Sequence, residues 1–192
     1  MSDEQGDPIV VAGLVGSLRQ RSFNRGLLRA AIDLAPTGMT ISDVPIGELP
    51  HYDEDLDHDG GPEPVQQFRA AIRTADAILF VTPEYNYSIS GVLKNAIDWA
   101  SWPSGRGVIL GKPAAVMGAA IGRSGTMRAQ LHLRQIFVTL NILGLNKPEI
   151  FVPFSGEKFD EESNLTDEMV RTQVRDQLVA FQSWVTLLRG RR

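Results

Sequence analysis

Residues 13–25, Gly-Leu-Val-Gly-Ser-Leu-Arg-Gln-Arg-Ser-Phe-Asn-Arg, bring hydroxyls, an amide and cations together in a form suited to holding an anion. An apolar run, residues 9–14, precedes them and reads as a buried strand. A helical pattern follows, with Phe23, Leu27, Ala31 and Leu34 on one face. A helix that starts just after a strand aims its unpaired N–H groups and its positive dipole end at whatever sits in the turn. Ser17, Ser22 and Asn24 add neutral donors, and Arg19 adds a charge. The dipole supplies at most ~2 kcal/mol, so specific phosphate binding needs several of these donors together. The spacing is neither GxxxxGK[ST] nor GxGxxG. An ordinary strand-to-helix turn with Ser22 as the N-cap accounts for the same residues without a ligand.

Two further stretches carry chemistry. Thr82-Pro-Glu-Tyr-Asn-Tyr-Ser88 follows the apolar run Ala77-Ile-Leu-Phe-Val81. It offers two rings, Tyr85 and Tyr87, with the amide of Asn86 and the carboxylate of Glu84. Pro83 stiffens its entry. Gly118-Ala-Ala-Ile-Gly-Arg-Ser-Gly125 follows another apolar run and is small enough for a flat ligand to lie against its backbone.

The elements that position these loops can be read in order. Residues 39–44 alternate apolar and polar as a short second strand, and residues 45–64 form a proline-rich, acidic loop. A helix over 65–75 carries Val65, Phe68 and Ile72 on one face. The strand at 77–81 is apolar throughout, as burial on both faces requires. Ser90 caps a helix over 91–101. A strand over 112–117, a helix over 127–143 and a last strand over 147–152 follow. An amphipathic helix over 166–189, capped by Thr166, closes the chain. Five strands alternating with helices predict a single α/β domain over residues 1–192, with residues 1–7 as a flexible tail. Right-handed crossovers suggest a five-stranded parallel sheet in the order 2-1-3-4-5, helices on both faces. The three special loops then fall together beyond the carboxyl ends of strands one, three and four, where ligands bind in such sheets. Phosphate donors at one end and a planar group at the other describe a mononucleotide, and FMN is the obvious candidate.

Other chemistries find little support. There is no cysteine, which excludes disulfides, thiol nucleophiles and iron–sulfur ligation. The net charge of -4 argues against nucleic acid, and the basic tail Arg189, Arg191 and Arg192 reads as a solvated end. The polar, acidic start lacks the features of a signal peptide, no apolar run is long enough to span a membrane, and a cytoplasmic location is expected. Asp55-Leu-Asp-His-Asp-Gly60 imitates the start of a calcium loop, but its twelfth position is Gln66, not the bidentate Glu. It reads as a solvated acidic loop. His51, His58 and His132 lie far apart, so no metal is expected.

Gly16-Ser-Leu-Arg-x-x-Ser-Phe-Asn24, Thr82-Pro-Glu-Tyr-Asn-Tyr-Ser88 and Leu93-Lys-Asn-Ala-Ile-Asp-Trp99 together resemble the signature segments of the NADPH-dependent FMN reductase family, nearest its chromate/quinone reductase branch. The resemblance implies a flavodoxin-like fold with non-covalent FMN. It assigns Ser17, Arg19, Ser22, Phe23 and Asn24 to the phosphate loop. Pro83, Glu84, Tyr85, Asn86 and Tyr87 fall beside the flavin ring, and Gly118, Ala120 and Gly122 in a third contact. Relatives often carry Ser where Ala119 and Ala120 stand, so contact there is expected through the backbone. Lys94, Asn95, Asp98 and Trp99 read as a structural segment that positions the preceding loop, with Trp99 at an interface. The activity implied is ping-pong reduction of quinones, free flavin or oxidised metal anions such as chromate, with NADPH or NADH as donor. No catalytic side chain is named, Tyr87 and Arg123 are candidate gates for the acceptor, and a homodimer or homotetramer is implied. An FMN-binding electron carrier without NAD(P)H activity is the alternative.

Overall fold

The computed structural model describes residues 7–190. The expected tail, residues 1–7, lies outside them except for Asp7, as do Arg191 and Arg192. Strand β1 (Ile9–Val15) leads to helix α1 (Phe23–Asp33), then β2 (Met39–Asp43), α2 (Glu63–Thr74) and β3 (Ala77–Val81). Helix α3 (Gly91–Ser101), β4 (Pro113–Ala119), α4 (Met127–Thr139), β5 (Leu143–Gly144), β6 (Ile150–Val152) and α5 (Glu168–Arg189) complete the chain. The sheet is parallel in the order β2-β1-β3-β4-β5. It is a flavodoxin-like α/β fold.

Alternation along the strands explains the layers. Val11 and Val15 point to one face and pack with Leu27, Ala31, Val174 and Phe181 of α1 and α5. Ala12 and Leu14 point to the other and pack with Phe68, Ile97, Trp99 and Leu133 of α2, α3 and α4. Every residue of β3 is buried, which is why its sequence is apolar throughout.

Several boundaries differ from the sequence reading. The fifth position of the sheet is split: β5 pairs with the start of β4, and β6 pairs with its end. The predicted helix over 127–143 stops at Thr139, because Asn141 takes a left-handed φ of 51° and turns the chain into β5. Helix α2 starts two residues early, with Pro64 in its first turn, where a missing N–H costs nothing. Thr166 does not cap α5. Its hydroxyl bonds the Lys158 carbonyl, and Asp167 accepts from the Val170 N–H at 2.9 Å. Ser90 does cap α3, accepting from Leu93 N at 3.3 Å.

The acidic loop is also more structural than expected. The side chain of Asp57 is buried and forms a two-pronged ion pair with Arg69, at 2.5 and 2.8 Å. These bonds hold its carboxyl below the usual carboxylate range, although burial pushes the other way. Arg189 is not a solvated end either: it pairs with Asp76 and bonds the carbonyls of Asp7 and Pro8.

Candidate active site

The loops after β1, β3 and β4 close around a cleft of about 280 Å³ at the carboxyl ends of those strands. Ser17, Arg19, Ser22, Phe23, Asn24, Pro83, Glu84, Tyr85 and Ala120 of the expected set line it, and so do Ala119 and Ile121. Asn86, Tyr87, Gly118 and Gly122 do not. The close packing of the first two loops depends on Gly16. A Cβ there would stand 2.9 Å from Ser90 Oγ and 3.0 Å from Pro83 Cδ.

At one end of the cleft the donors are free. Ser22 occupies the N-cap position of α1 with extended backbone, yet its side chain makes no capping bond. Neither Ser17 nor Ser22, both buried, has a hydroxyl partner among the described residues. The first intrahelical bond of α1 is Gly26 N to Ser22 O at 3.0 Å, which leaves the amides of Phe23, Asn24 and Arg25 without an intrahelical partner. Arg19 pairs with no carboxylate among the described residues and lies 5.2 Å from the Phe23 ring centre. Hydroxyls and amides with one cation and no carboxylate are the donor set of a phosphate.

Asn24 is different. Its Nδ2 donates to Ala119 O and its Oδ1 accepts from Ala119 N, each at 2.9 Å. The amide expected to face a ligand instead ties the first loop to the end of β4. The backbone of the neighbouring residue is spoken for as well. Ala120 N donates to Val152 O at 3.0 Å, and its carbonyl accepts from Ser155 N and Oγ. The N–H and C=O of Ala119 and Ala120 are thus engaged within the chain, and both residues line the cleft. Gly118 lies buried in β4, where a Cβ would come within 2.3 Å of Thr82 O. Gly122 is exposed on the outer loop.

Glu84 is the second surprise. Its carboxylate, 6% exposed, accepts the N–H groups of Arg128 at 2.9 Å and Ala129 at 3.2 Å and pairs with the Arg128 guanidinium. It caps α4. The same hydrogen bond holds the Arg128 side chain more firmly protonated than usual. The Arg128 guanidinium lies 3.8 Å from the Tyr87 ring centre. Tyr85 and Ser88 exchange two backbone hydrogen bonds of 2.9 Å around a tight turn, with Asn86 at φ 49° and Tyr87 at φ 68°. A bulky residue in that region costs on the order of 1–3 kcal/mol. A partly exposed cation–π contact offsets about 0.5–2 kcal/mol of it. Sequence spacing could not reveal this cluster, because its partners lie more than forty residues apart.

The segment around α3 supports a different loop from the one expected. Asn95 accepts from Tyr52 N at 2.7 Å and donates to Pro50 O at 2.8 Å, and Trp99 Nε1 donates to Pro50 O at 2.8 Å. Trp99 is fully buried inside the chain, not at a surface. Lys94 and Asp98 form the expected pair at 2.7 Å. Arg123 is exposed and does not line the cleft. A larger cleft, about 530 Å³, is lined by Arg69, Arg73, Arg106 and Trp102. Its buried cation, Arg69, is spent on Asp57 and three carbonyls.

The sheet order and a phosphate-type cleft at its switch point define a mononucleotide-binding protein of flavodoxin-like architecture. The chain belongs to the NADPH-dependent FMN reductase family, whose model matches residues 9–157. It is 50% identical over 184 residues to an NAD(P)H-dependent FMN reductase of Pseudomonas aeruginosa, covering 96% of this chain and 99% of that one. It is 42% identical over 175 residues to a 2-hydroxy-1,4-benzoquinone reductase of a Burkholderia species, covering 91% and 95%. The solved structure of the flavoenzyme NAD(P)H:(acceptor) oxidoreductase of Paracoccus denitrificans superimposes with a TM-score of 0.84. The two are 36% identical, over 93% of this chain and 97% of that one. No described helix is long and apolar enough to cross a membrane.

Proposed function

We propose that this protein is an FMN-dependent NAD(P)H oxidoreductase that reduces quinones and flavins, and that oxidised metal anions such as chromate are accepted in the same space. The observation that carries the reading is the cleft end where Ser17, Ser22 and the first amides of α1 are all unspent, with Arg19 beside them. Donors left without a protein partner where a helix begins beside a cleft are the groups a bound phosphate would complete. Ser17, Arg19, Ser22 and the amides of Phe23 and Asn24 would hold the phosphate. Pro83, Tyr85, Ala119 and Ala120 would form the slot for the ring. Bound FMN would supply the capacity to take hydride from NAD(P)H and to release electrons to a second substrate.

The protein's part is placement and polarity. The cleft is slightly below the usual ligand-pocket range of about 300–1,000 Å³. A mononucleotide would be held there by its phosphate, and the open side of the cleft would admit one small reactant at a time. Exposed Tyr85 and Ile121 border that opening. No side chain needs to give or take a proton for hydride transfer, and the cleft contains no histidine. Initial rates at varied NADPH and benzoquinone test the scheme. Parallel double-reciprocal lines are expected, and intersecting lines would show both substrates bound together.

Self-association belongs to the same proposal. Met127, Leu131 and Val138 are exposed along α4, next to a groove that includes Ile89 and Ile136. This apolar face suits a second copy of the chain. Sedimentation equilibrium is expected to give a dimer or tetramer, and Leu131→Glu to shift it toward monomer.

A further inference from the structure

We propose that Arg128 is a positioning residue that sets the width of the cleft mouth by clasping its two lips. One lip is the 82–88 segment, which contributes Pro83, Glu84 and Tyr85 to the cleft. The other is the 119–126 segment, which contributes Ala119, Ala120 and Ile121. Arg128 does not line the cleft, yet it bonds both lips. Its guanidinium pairs with Glu84 and stacks on Tyr87 on the first, and donates to Ser124 Oγ at 2.7 Å on the second.

Three observations favour a mechanical role over simple surface pairing. Glu84 is almost wholly buried, so its partner is chosen by the fold. Arg128 Nε is buried with no hydrogen-bond partner, a cost accepted to keep the guanidinium plane over the Tyr87 ring. Tyr87 sits at φ 68°, a conformation a tyrosine holds only when its surroundings impose it. The phosphate end is braced separately, by Asn24 on Ala119. Loosening Arg128 should therefore disturb entry of the second substrate more than retention of FMN.

The inference rests on the oxidoreductase reading, and its test keeps the two apart. Flavin-loaded wild type, Arg128→Gln, Arg128→Lys, Tyr87→Asn and the Arg128→Gln/Tyr87→Asn double variant are assayed with NADPH and 1,4-benzoquinone. FMN dissociation is measured beside turnover. Asn at position 87 tolerates the left-handed backbone, so that variant folds without the ring. For Arg128→Gln the expected result is a quinone KM raised about tenfold, a smaller change in kcat and an FMN Kd within about threefold of wild type. Arg128→Lys, which keeps the charge but loses the plane, should fall between. The double variant should be no worse than the poorer single one, because both remove the same clasp. An unchanged quinone KM, additive effects, or an FMN Kd that rises by the same factor as KM would overturn the inference. A flavin-loaded wild type with no NADPH-dependent quinone reduction would overturn the oxidoreductase reading and the inference with it.

Discussion

The side chain of Asn24 holds the backbone of Ala119 at both ends, giving a hydrogen bond to its carbonyl and taking one from its N–H, each at 2.9 Å. They stand 95 positions apart in the chain. The pair closes the phosphate end of the cleft by fixing the start of α1 against the end of β4. Asn24→Ala leaves both backbone groups buried and unpaired, which should cost about 1–3 kcal/mol in urea unfolding. FMN affinity should fall about tenfold as the loop shifts. Asn24→Asp should recover little, because a carboxylate cannot donate to the Ala119 carbonyl.

Ser22 and Ser90 occupy the same position on two helices but do different things. Ser90 caps α3, and Ser90→Ala should cost about 0.5–2 kcal/mol of stability. Ser22 makes no capping bond, so Ser22→Ala should change unfolding by less than about 0.5 kcal/mol. Its effect should appear in FMN titrations, as a roughly tenfold weaker Kd from one lost hydrogen bond to a charged group. A large stability loss with unchanged FMN binding would make Ser22 a structural residue.

Gly118 and Gly122, both expected beside the ligand, should separate cleanly. A Cβ on Gly118 would lie 2.3 Å from Thr82 O and 2.4 Å from Thr126 Oγ1. Gly118→Ala should therefore destabilise by roughly 3 kcal/mol, since the Thr82 backbone cannot step aside. A Cβ on Gly122 would meet nothing within 4 Å, and Gly122→Ala should fold like wild type. Thermal unfolding of the two variants checks this.

Acid stability follows from three carboxyls. Arg69 hydrogen bonds lower the pKa of Asp57, and backbone N–H bonds from Asn164 and Val170 lower those of Asp160 and Asp167. A carboxyl whose folded pKa is depressed gives stability that is complete above its unfolded value, about 3.9, and is lost as pH falls through the folded value. The stability these three carboxyls contribute should thus be complete at neutral pH and be lost as pH falls below about 4. Asp57→Ala strands Arg69 in the interior and should cost about 3–5 kcal/mol at neutral pH. Urea unfolding across pH measures both effects.

The sheet order was legible because β3 is apolar throughout and the strands and helices alternate. The position of the cleft followed, since loops after β1, β3 and β4 must share an edge. Residue roles within the cleft were less legible. Ser17 and Ser22 have local environments that the sequence resolves, a strand end and a helix start. Asn24 and Glu84 are spent on Ala119 and on Arg128 and Ala129, partners that only the tertiary fold brings near. The split of the last strand was hidden for a similar reason. The apolar pattern of α4 runs on through Leu140, Ile142 and Leu143, although the chain has already turned at Asn141.

An absorbance spectrum of the purified protein, before and after anaerobic NADPH, tests the central claim most directly. Flavin bands that bleach on addition of NADPH and return with benzoquinone are the predicted result. A protein that shows no flavin bands and takes up no added FMN would contradict the cofactor assignment. One that binds FMN but is not bleached by either NADPH or NADH would be an electron carrier on the same fold.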